Sequence, residues 1–219
     1  MLSPRLKAIY DNINRCEILA DIGCDHGFIP IEAVKNGIVR RAVACDVSKP
    51  SLLKAEKNIR LAGLSEKIDT RCGDGLEPLS EGEADTVIIA GMGGILIADI
   101  LKSGFSKIGS AKLILQPMSN IPELRERLIN GGFSITGESL VREERRIYTV
   151  ISAEIGKTED YDFEVGTALI DNKDPLLKEW LIERIECENE ILSKIPRGSD
   201  DFIKHSRLKE KYKEVSDRI

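Results

Sequence analysis

Carboxylates and glycines recur in this chain where short apolar runs end. The stretch 21–27, Asp-Ile-Gly-Cys-Asp-His-Gly, follows the run Ile-Leu-Ala and holds two carboxylates, two glycines and one of the chain's two histidines. Asp46 closes the run 42–45, Asp74 stands between Gly73 and Gly75, and Gly91-Met-Gly-Gly94 follows the run ending at Ala90. Glycine lets backbone approach a ligand closely. A carboxylate at a strand end accepts hydrogen bonds from both hydroxyls of a ribose. Together these positions offer nucleoside recognition.

The first loop discriminates between nucleosides. A pyrophosphate is cradled by G-x-G-x-x-G, whose second glycine admits the phosphate against a helix N-terminus. Asp25 occupies that second position and would repel a pyrophosphate. It suits a cationic ligand instead, and S-adenosylmethionine carries both a sulfonium and an amino group. The cofactor candidates are therefore Asp21, Gly23, Cys24, Asp25 and Gly27, then Asp46 with Val47, Asp74 with Gly75, and Ala90 with Gly91. Asp46 reads equally as a turn or helix-cap residue when taken alone. Gly73-Asp-Gly75 reads equally as a plain turn, or as a contact to an adenine amine.

The elements that must hold these residues follow from periodicity. Strands are expected at 17–22, 42–46, 68–71, 84–90 and 112–116, as continuous apolar runs typical of strands covered on both faces. Helices are expected at 1–15, 28–36, from about 50 to 62, 95–101 and 122–130, with glycines 37, 63 and 131–132 as stops. Alternation of strand and helix predicts right-handed βαβ units in a parallel sheet. Two further strands, 133–140 and 146–153, joined by the charged turn 141–145, predict an antiparallel edge. The fold class is α/β: a Rossmann-like, mostly parallel seven-stranded sheet with helices on both faces.

Composition shifts near Gly156, dividing the chain into a domain 1–156 and an appendage 157–219. In the appendage Leu177, Trp180, Leu181, Ile185, Glu188, Leu192 and Ile195 keep helical spacing. Pro196-Arg-Gly-Ser199 breaks the pattern, and His205, Leu208, Tyr212 and Val215 resume it. This predicts a coiled-coil-like helical hairpin whose apolar stripe needs a partner surface: itself, the main domain or another molecule.

A net charge of −5 and pI near 5.3 argue against indiscriminate polyanion binding and leave room for local basic patches. No apolar run approaches the roughly 20 residues of a membrane span, and residues 1–7 lack the apolar core of a secretory signal. The five cysteines are widely spaced, without C-x-x-C, and four fall in or beside expected strands. Buried free thiols in a reducing cytoplasm are expected, with neither a disulfide nor a metal site.

The order Asp21-x-Gly-x-Asp-x-Gly27, Asp46 with Ser51-x-x-x-Ala55-x-x-Asn58 behind it, and Gly73-Asp-Gly75 resembles class I S-adenosylmethionine-dependent methyltransferases. Asp25-His26 with Ala-Gly-Met-Gly-Gly94, Gln116-Pro-Met118 and a terminal hairpin resembles, more narrowly, the bacterial tRNA (adenine-22-N1)-methyltransferases. The resemblance implies S-adenosylmethionine as cofactor, tRNA as partner and an adenine entering beside Gly91 and Met92. Asn/Asp-Pro-Pro-aromatic, usual in amino-methylating relatives, is replaced by Gly91-Met-Gly-Gly94. That suits ring N1, whose in-plane lone pair attacks without a strong base. Asp25, His26, Gly91 and Met92 are then the catalytic candidates, with Asp25 or a carbonyl near Gly91 stabilising the purine cation and His26 holding the base or assisting proton loss. Arg5, Arg145, Lys204 and Arg207 lead the candidates for RNA phosphates, joined by Lys7, Arg142, Arg146, Lys209, Lys211 and Lys213. A monomer and a homodimer are both compatible. The competing readings are a methyltransferase of a protein or small molecule, a non-catalytic S-adenosylmethionine-binding module and, last, an NAD-dependent oxidoreductase.

Overall fold

The computed structural model describes residues 2–219. Five parallel strands, β1 (Cys16–Ile22), β2 (Val39–Asp46), β3 (Ile68–Cys72), β4 (Thr86–Gly93) and β5 (Lys112–Ser119), meet antiparallel β6 (Phe133–Glu143) and β7 (Arg146–Ile155). The sheet order is β3-β2-β1-β4-β5-β7-β6. β1 thus pairs with both β2 and β4, and the strand order reverses there. A crevice opens at the carboxyl ends of β1 and β4, as it does in open α/β sheets generally.

Alternate side chains of each strand feed opposite faces. Leu19 and Ile88 pack with residues of α1 (Pro4–Asp11), α2 (Phe28–Lys35) and α3 (Lys49–Leu61). Ala20 and Ile89 pack with α4 (Gly94–Ser103), α5 (Phe105–Ile108) and α6 (Ile121–Asn130). Both faces are covered, which is why the central strands read as unbroken apolar runs.

Several expected boundaries move. The first helix spans only Pro4–Asp11, with Ser3 Oγ accepting from Leu6 N, so Leu2 and residues 12–15 lie outside it. The turn expected at 141–145 shrinks to Glu144-Arg145, because β6 pairs with β7 as far as Glu143↔Arg146. Gly91–Gly94 is not a loop after the strand. β4 runs on to Gly93, with register shifts at Met92, and Gly94 opens α4. The cause is crowding: a Cβ on Gly94 would stand 2.4 Å from the Asn120 carbonyl oxygen and 2.8 Å from that of Ser119. Gly94→Ala must push these backbones apart and is expected to cost about 1–3 kcal/mol in urea denaturation; an unchanged midpoint would show that the β4–β5 ends are not held this closely.

The segment after Gly156 docks on the sheet edge. It contains α7 (Thr167–Asp171), α8 (Leu177–Lys194) and α9 (Asp200–Arg218). The stripe predicted from spacing buries Leu177, Trp180 and Leu181 of α8 with Tyr212 and Val215 of α9, in one cluster with Val165, Leu169 of α7 and Leu140 of β6, so the hairpin packs mainly on itself and reaches the sheet through α7 and Leu140. Arg125 of α6 fastens the connection. Its guanidinium donates to Glu138 Oε1 at 2.8 Å and to the carbonyls of Phe163, Glu164 and Val165 at 2.8–3.0 Å. Glu188, in the stripe although polar, accepts from His205 Nδ1 at 2.6 Å and joins α8 to α9. Of the four cysteines expected in or beside strands, Cys24 and Cys45 are buried, Cys16 is half-buried and Cys72 is exposed; Cys187, on α8, is exposed too.

Candidate active site

The loop after β1 is pinned by backbone. Gly23 N and Cys24 N donate to the Cys45 carbonyl at 2.8 and 3.0 Å, and Gly27 N to the Cys24 carbonyl at 2.8 Å. Gly23 has φ +74, and a Cβ there would meet Met92 Cε at 2.3 Å. Met92 therefore fills the space under the loop. Asp25, also at positive φ, turns its exposed carboxylate onto His26 Nδ1 at 2.6 Å, and the His26 ring stacks on Phe28 with centroids 5.3 Å apart. Asn58 Nδ2 donates to the His26 carbonyl at 3.0 Å, tying the loop to α3.

A cavity of about 300 Å³ opens beside this loop, lined by Asp21, Gly23, Asp25, His26, Gly91 and, from α1, Arg5. Asp21 is its buried acid. Burial, and then the neighbouring Asp46 charge, push its carboxyl up to about 7. Among the described residues no hydrogen bond offsets that burial, so the carboxylate lacks a cationic partner. Cys24 is no nucleophile, since burial raises its thiol far above the usual range.

The expected residues separate into groups. Asp21, Gly23, Cys24, Asp25, His26, Ala90 and Gly91 share the cavity, and Gly27 starts the helix beside it. Asp46 is used locally: Oδ2 accepts from Asp25 N at 3.1 Å and Oδ1 from Ser48 N at 2.8 Å. Its turn reading is realised, and the second lone pair on each oxygen remains available. Val47 and Asp74 are exposed at the ends of β2 and β3, outside this cavity, while Gly75 lies against Ile100. Among the expected phosphate contacts, Arg142 is paired with Glu179 and Glu183, Lys211 with Asp162 and Lys213 with Glu210. Arg5 lies in the cavity wall, apart from exposed Lys204 and Arg207 on α9. Reasoning from sequence missed Glu143, Tyr148 and Phe28. Their only signal was charge or aromaticity in segments assigned to structure: the contacts of Glu143 and Tyr148 span about 140 residues of chain, and Phe28, two residues from His26, read as the first residue of a helix.

An acid without a partner, glycines where side chains would intrude and a single guanidinium fit a cofactor bearing an amine, a sulfonium and a carboxylate. S-adenosylmethionine is such a molecule.

Comparisons with known proteins agree. A family model described as a methyltransferase domain matches residues 2–151. The chain is similar to the tRNA (adenine(22)-N(1))-methyltransferase of Bacillus subtilis, 35% identical over 228 residues, covering all of this chain and 94% of that protein. Its fold matches the crystal structure of the B. subtilis M1A22 tRNA methyltransferase TrmK with a TM-score of 0.90 at 31% identity over 99% of both chains. It also matches M. capricolum TrmK, solved with the cofactor product S-adenosyl-homocysteine, with a TM-score of 0.88 at 30% identity over 99% of this chain and 98% of that one.

Proposed function

This chain belongs to the tRNA (adenine(22)-N(1))-methyltransferase family, and on that premise we propose that it transfers the methyl group of S-adenosylmethionine to ring N1 of adenine 22 in tRNA. The observation that carries the reading is the buried, unpartnered Asp21 carboxylate in a cavity shared with Gly91 at the β1–β4 reversal.

When bound, S-adenosylmethionine supplies a methyl group on a positively charged sulfur. Asp21 takes the ammonium of the amino-acid tail. Asp46, with its free lone pairs, takes the ribose hydroxyls, with Val47 beside it, and Asp74 with Gly75 borders the adenine. Ala90 and Gly91 leave backbone carbonyls and open space where the target base enters. In the proposed transfer the N1 lone pair would form the new N–CH3 bond as the S–CH3 bond breaks, the electron pair leaving on sulfur. This gives neutral S-adenosylhomocysteine and a positively charged purine, so the protein's work is alignment and stabilisation of that cation. Asp25 supplies negative charge at the mouth, and the His26–Phe28 stack is placed to hold the base. Met92 acts from beneath, keeping the loop in position. Unchanged turnover in His26→Ala would deny the histidine any part in holding the base.

The target adenine must leave its helix, at a cost of a few kcal/mol, which contacts elsewhere on the RNA offset. A groove of about 450 Å³ between the main domain and the hairpin holds Ser119, Asn120, Arg145, Arg146, Tyr148 and Arg184. Arg5 lies over the Tyr148 ring at 5.6 Å, so groove and cavity adjoin. In this reading residues 1–156 are the catalytic domain and 157–219, with Lys204 and Arg207, clamp the tRNA. Neutralising Arg145, Lys204 and Arg207 together should weaken tRNA binding and flatten its log–log salt slope by about 0.7–0.9 for each phosphate that no longer meets a cation. An unchanged slope would move the RNA path elsewhere.

No helix among the described residues is long and apolar enough to cross a membrane. We place the reaction in the cytoplasm, carried out by a monomer or homodimer. Methyl transfer from labelled S-adenosylmethionine to unmodified tRNA, followed by nucleoside digestion, tests the proposal: 1-methyladenosine is expected. Turnover on a protein or small molecule without RNA would favour the competing methyltransferase reading.

A further inference from the structure

We propose that the outer face of α3 is a second phosphate-binding platform for the tRNA, gripping its backbone on the side of the active site away from the hairpin. This rests on the RNA reading above and adds to the RNA path a helix that reasoning from sequence left out of it.

Charge on α3 is one-sided. Between Lys49 and Leu61 stand Lys49, Lys54, Lys57 and Arg60 against a single acid, Glu56. All four cations are exposed, and among the described residues none of them enters an ion pair. Glu56 turns away from them, its Oε1 accepting from Thr70 Oγ1 of β3 at 3.1 Å. At about 100° of rotation per residue, the four cations and exposed Leu53 fan over roughly 140° of helix surface that holds no acid. Every other described helix has a cation excess of one at most, and α8 is net acidic.

Helix stability does not explain the pattern. Lys54, Lys57 and Arg60 follow at intervals of three, where like charges are neighbours and repel. Lys49 stands in the first turn, whose unpaired N–H groups favour an acid, and no acid is there. An external polyanion relieves such repulsion. The cations span about 16 Å of helix axis, enough to meet several phosphates of one strand.

Position ties this face to the reaction. A Cβ on Gly27 would lie 3.3 Å from that of Ala55, and Asn58 Nδ2 reaches the His26 carbonyl, so α3 packs directly on the loop after β1. Lys54 is one turn from Asn58, on the same side of the helix. α3 packs on β2 and β3 at one edge of the sheet, whereas the hairpin's cluster reaches β6 at the other. An adenine drawn out of its helix between these edges has its strand held on both flanks, which offsets the cost of unstacking.

The test compares wild type with the triple variant Lys54→Gln, Lys57→Gln and Arg60→Gln, which removes charge while keeping helix propensity. Binding of an unmodified tRNA transcript is measured across a salt series. The variant should bind about tenfold or more weakly at low salt, and its log–log salt slope should fall by about 2–3, the share of three phosphates. Its affinity for S-adenosylmethionine and its kcat at saturating tRNA should match wild type, with the loss appearing in the KM for tRNA. An unchanged slope in the variant would overturn the proposal. So would an equal loss of S-adenosylmethionine binding, which would mean that α3 acts through the His26 loop. Wild-type protein that binds tRNA without salt dependence would overturn it with no variant required. Wild-type protein that neither binds nor methylates tRNA would instead defeat the RNA reading itself.

Discussion

Asp21→Asn should weaken S-adenosylmethionine binding by about 10–100-fold at pH 8, because it removes the charged partner of the ammonium while keeping shape and burial. The pH dependence should change with it. In the free protein Asp21 titrates near 7, raised by burial and by Asp46. A cation binds the ionised form, so wild-type affinity should rise as pH increases from about 6 to 8, approaching tenfold per unit below the pKa. Asp21→Asn should lack this slope. Stability moves the opposite way. The folded-state pKa lies above the unfolded value of 3.8, so the ligand-free protein binds the proton more tightly when folded. This contribution is fully present below about pH 4 and is lost as pH rises through 7. Ligand-free Asp21→Asn should therefore exceed wild type in stability at pH 8, with the gap closing on acidification. A variant less stable at pH 8, with affinity and slope unchanged, would mean that the acid serves the fold and not the ligand.

Arg125→Ala should be the most damaging single change outside the cavity, costing about 3–5 kcal/mol. Both Arg125 and Glu138 have side chains with 0% exposure, and truncation leaves a buried carboxyl facing three carbonyls without their donor. Burial already raises the Glu138 pKa, with Arg125 and the Tyr161 hydroxyl opposing that rise. Protonation of Glu138 in the variant would recover part of the loss. Tyr161 Oη also donates to Glu138 at 2.6 Å, so Tyr161→Phe should cost only about 1 kcal/mol. Urea denaturation gives both values. Because Arg125 holds residues 163–165, Arg125→Ala should also speed proteolysis between Gly156 and α7. A loss below about 1 kcal/mol, with unchanged cleavage, would show that the apolar packing of Trp180 and Leu140 holds this segment unaided.

The central sheet was legible because a strand covered on both faces has to be apolar throughout. Asp21, Asp46 and Gly91 were found because they interrupt such runs where strands end. The roles within that set were harder to read. Asp25 told against a pyrophosphate, yet its carboxylate turns outward onto His26, and Asp21 supplies the buried charge. Arg5 looked like one more surface cation of an amphipathic helix. Its partners, Gln116 and Glu143, are set by sheet order and lie more than 100 residues away. Helices α5 and α7 have four and five residues, too few for a helical period to register. Arg125, inside a helix with an otherwise ordinary polar face, gave no sign that it would be buried.

Mapping the methylated base tests the proposed reaction most directly. Unmodified tRNA and a transcript with adenine 22 replaced by guanine would each be incubated with the purified protein and S-adenosylmethionine, then split, one portion digested to nucleosides and the other, intact, read by primer extension. The expected result is 1-methyladenosine in the first, with an extension stop at position 22, and neither in the second. Equal methylation of both transcripts, or methyl transfer to an atom other than adenine N1, would contradict it.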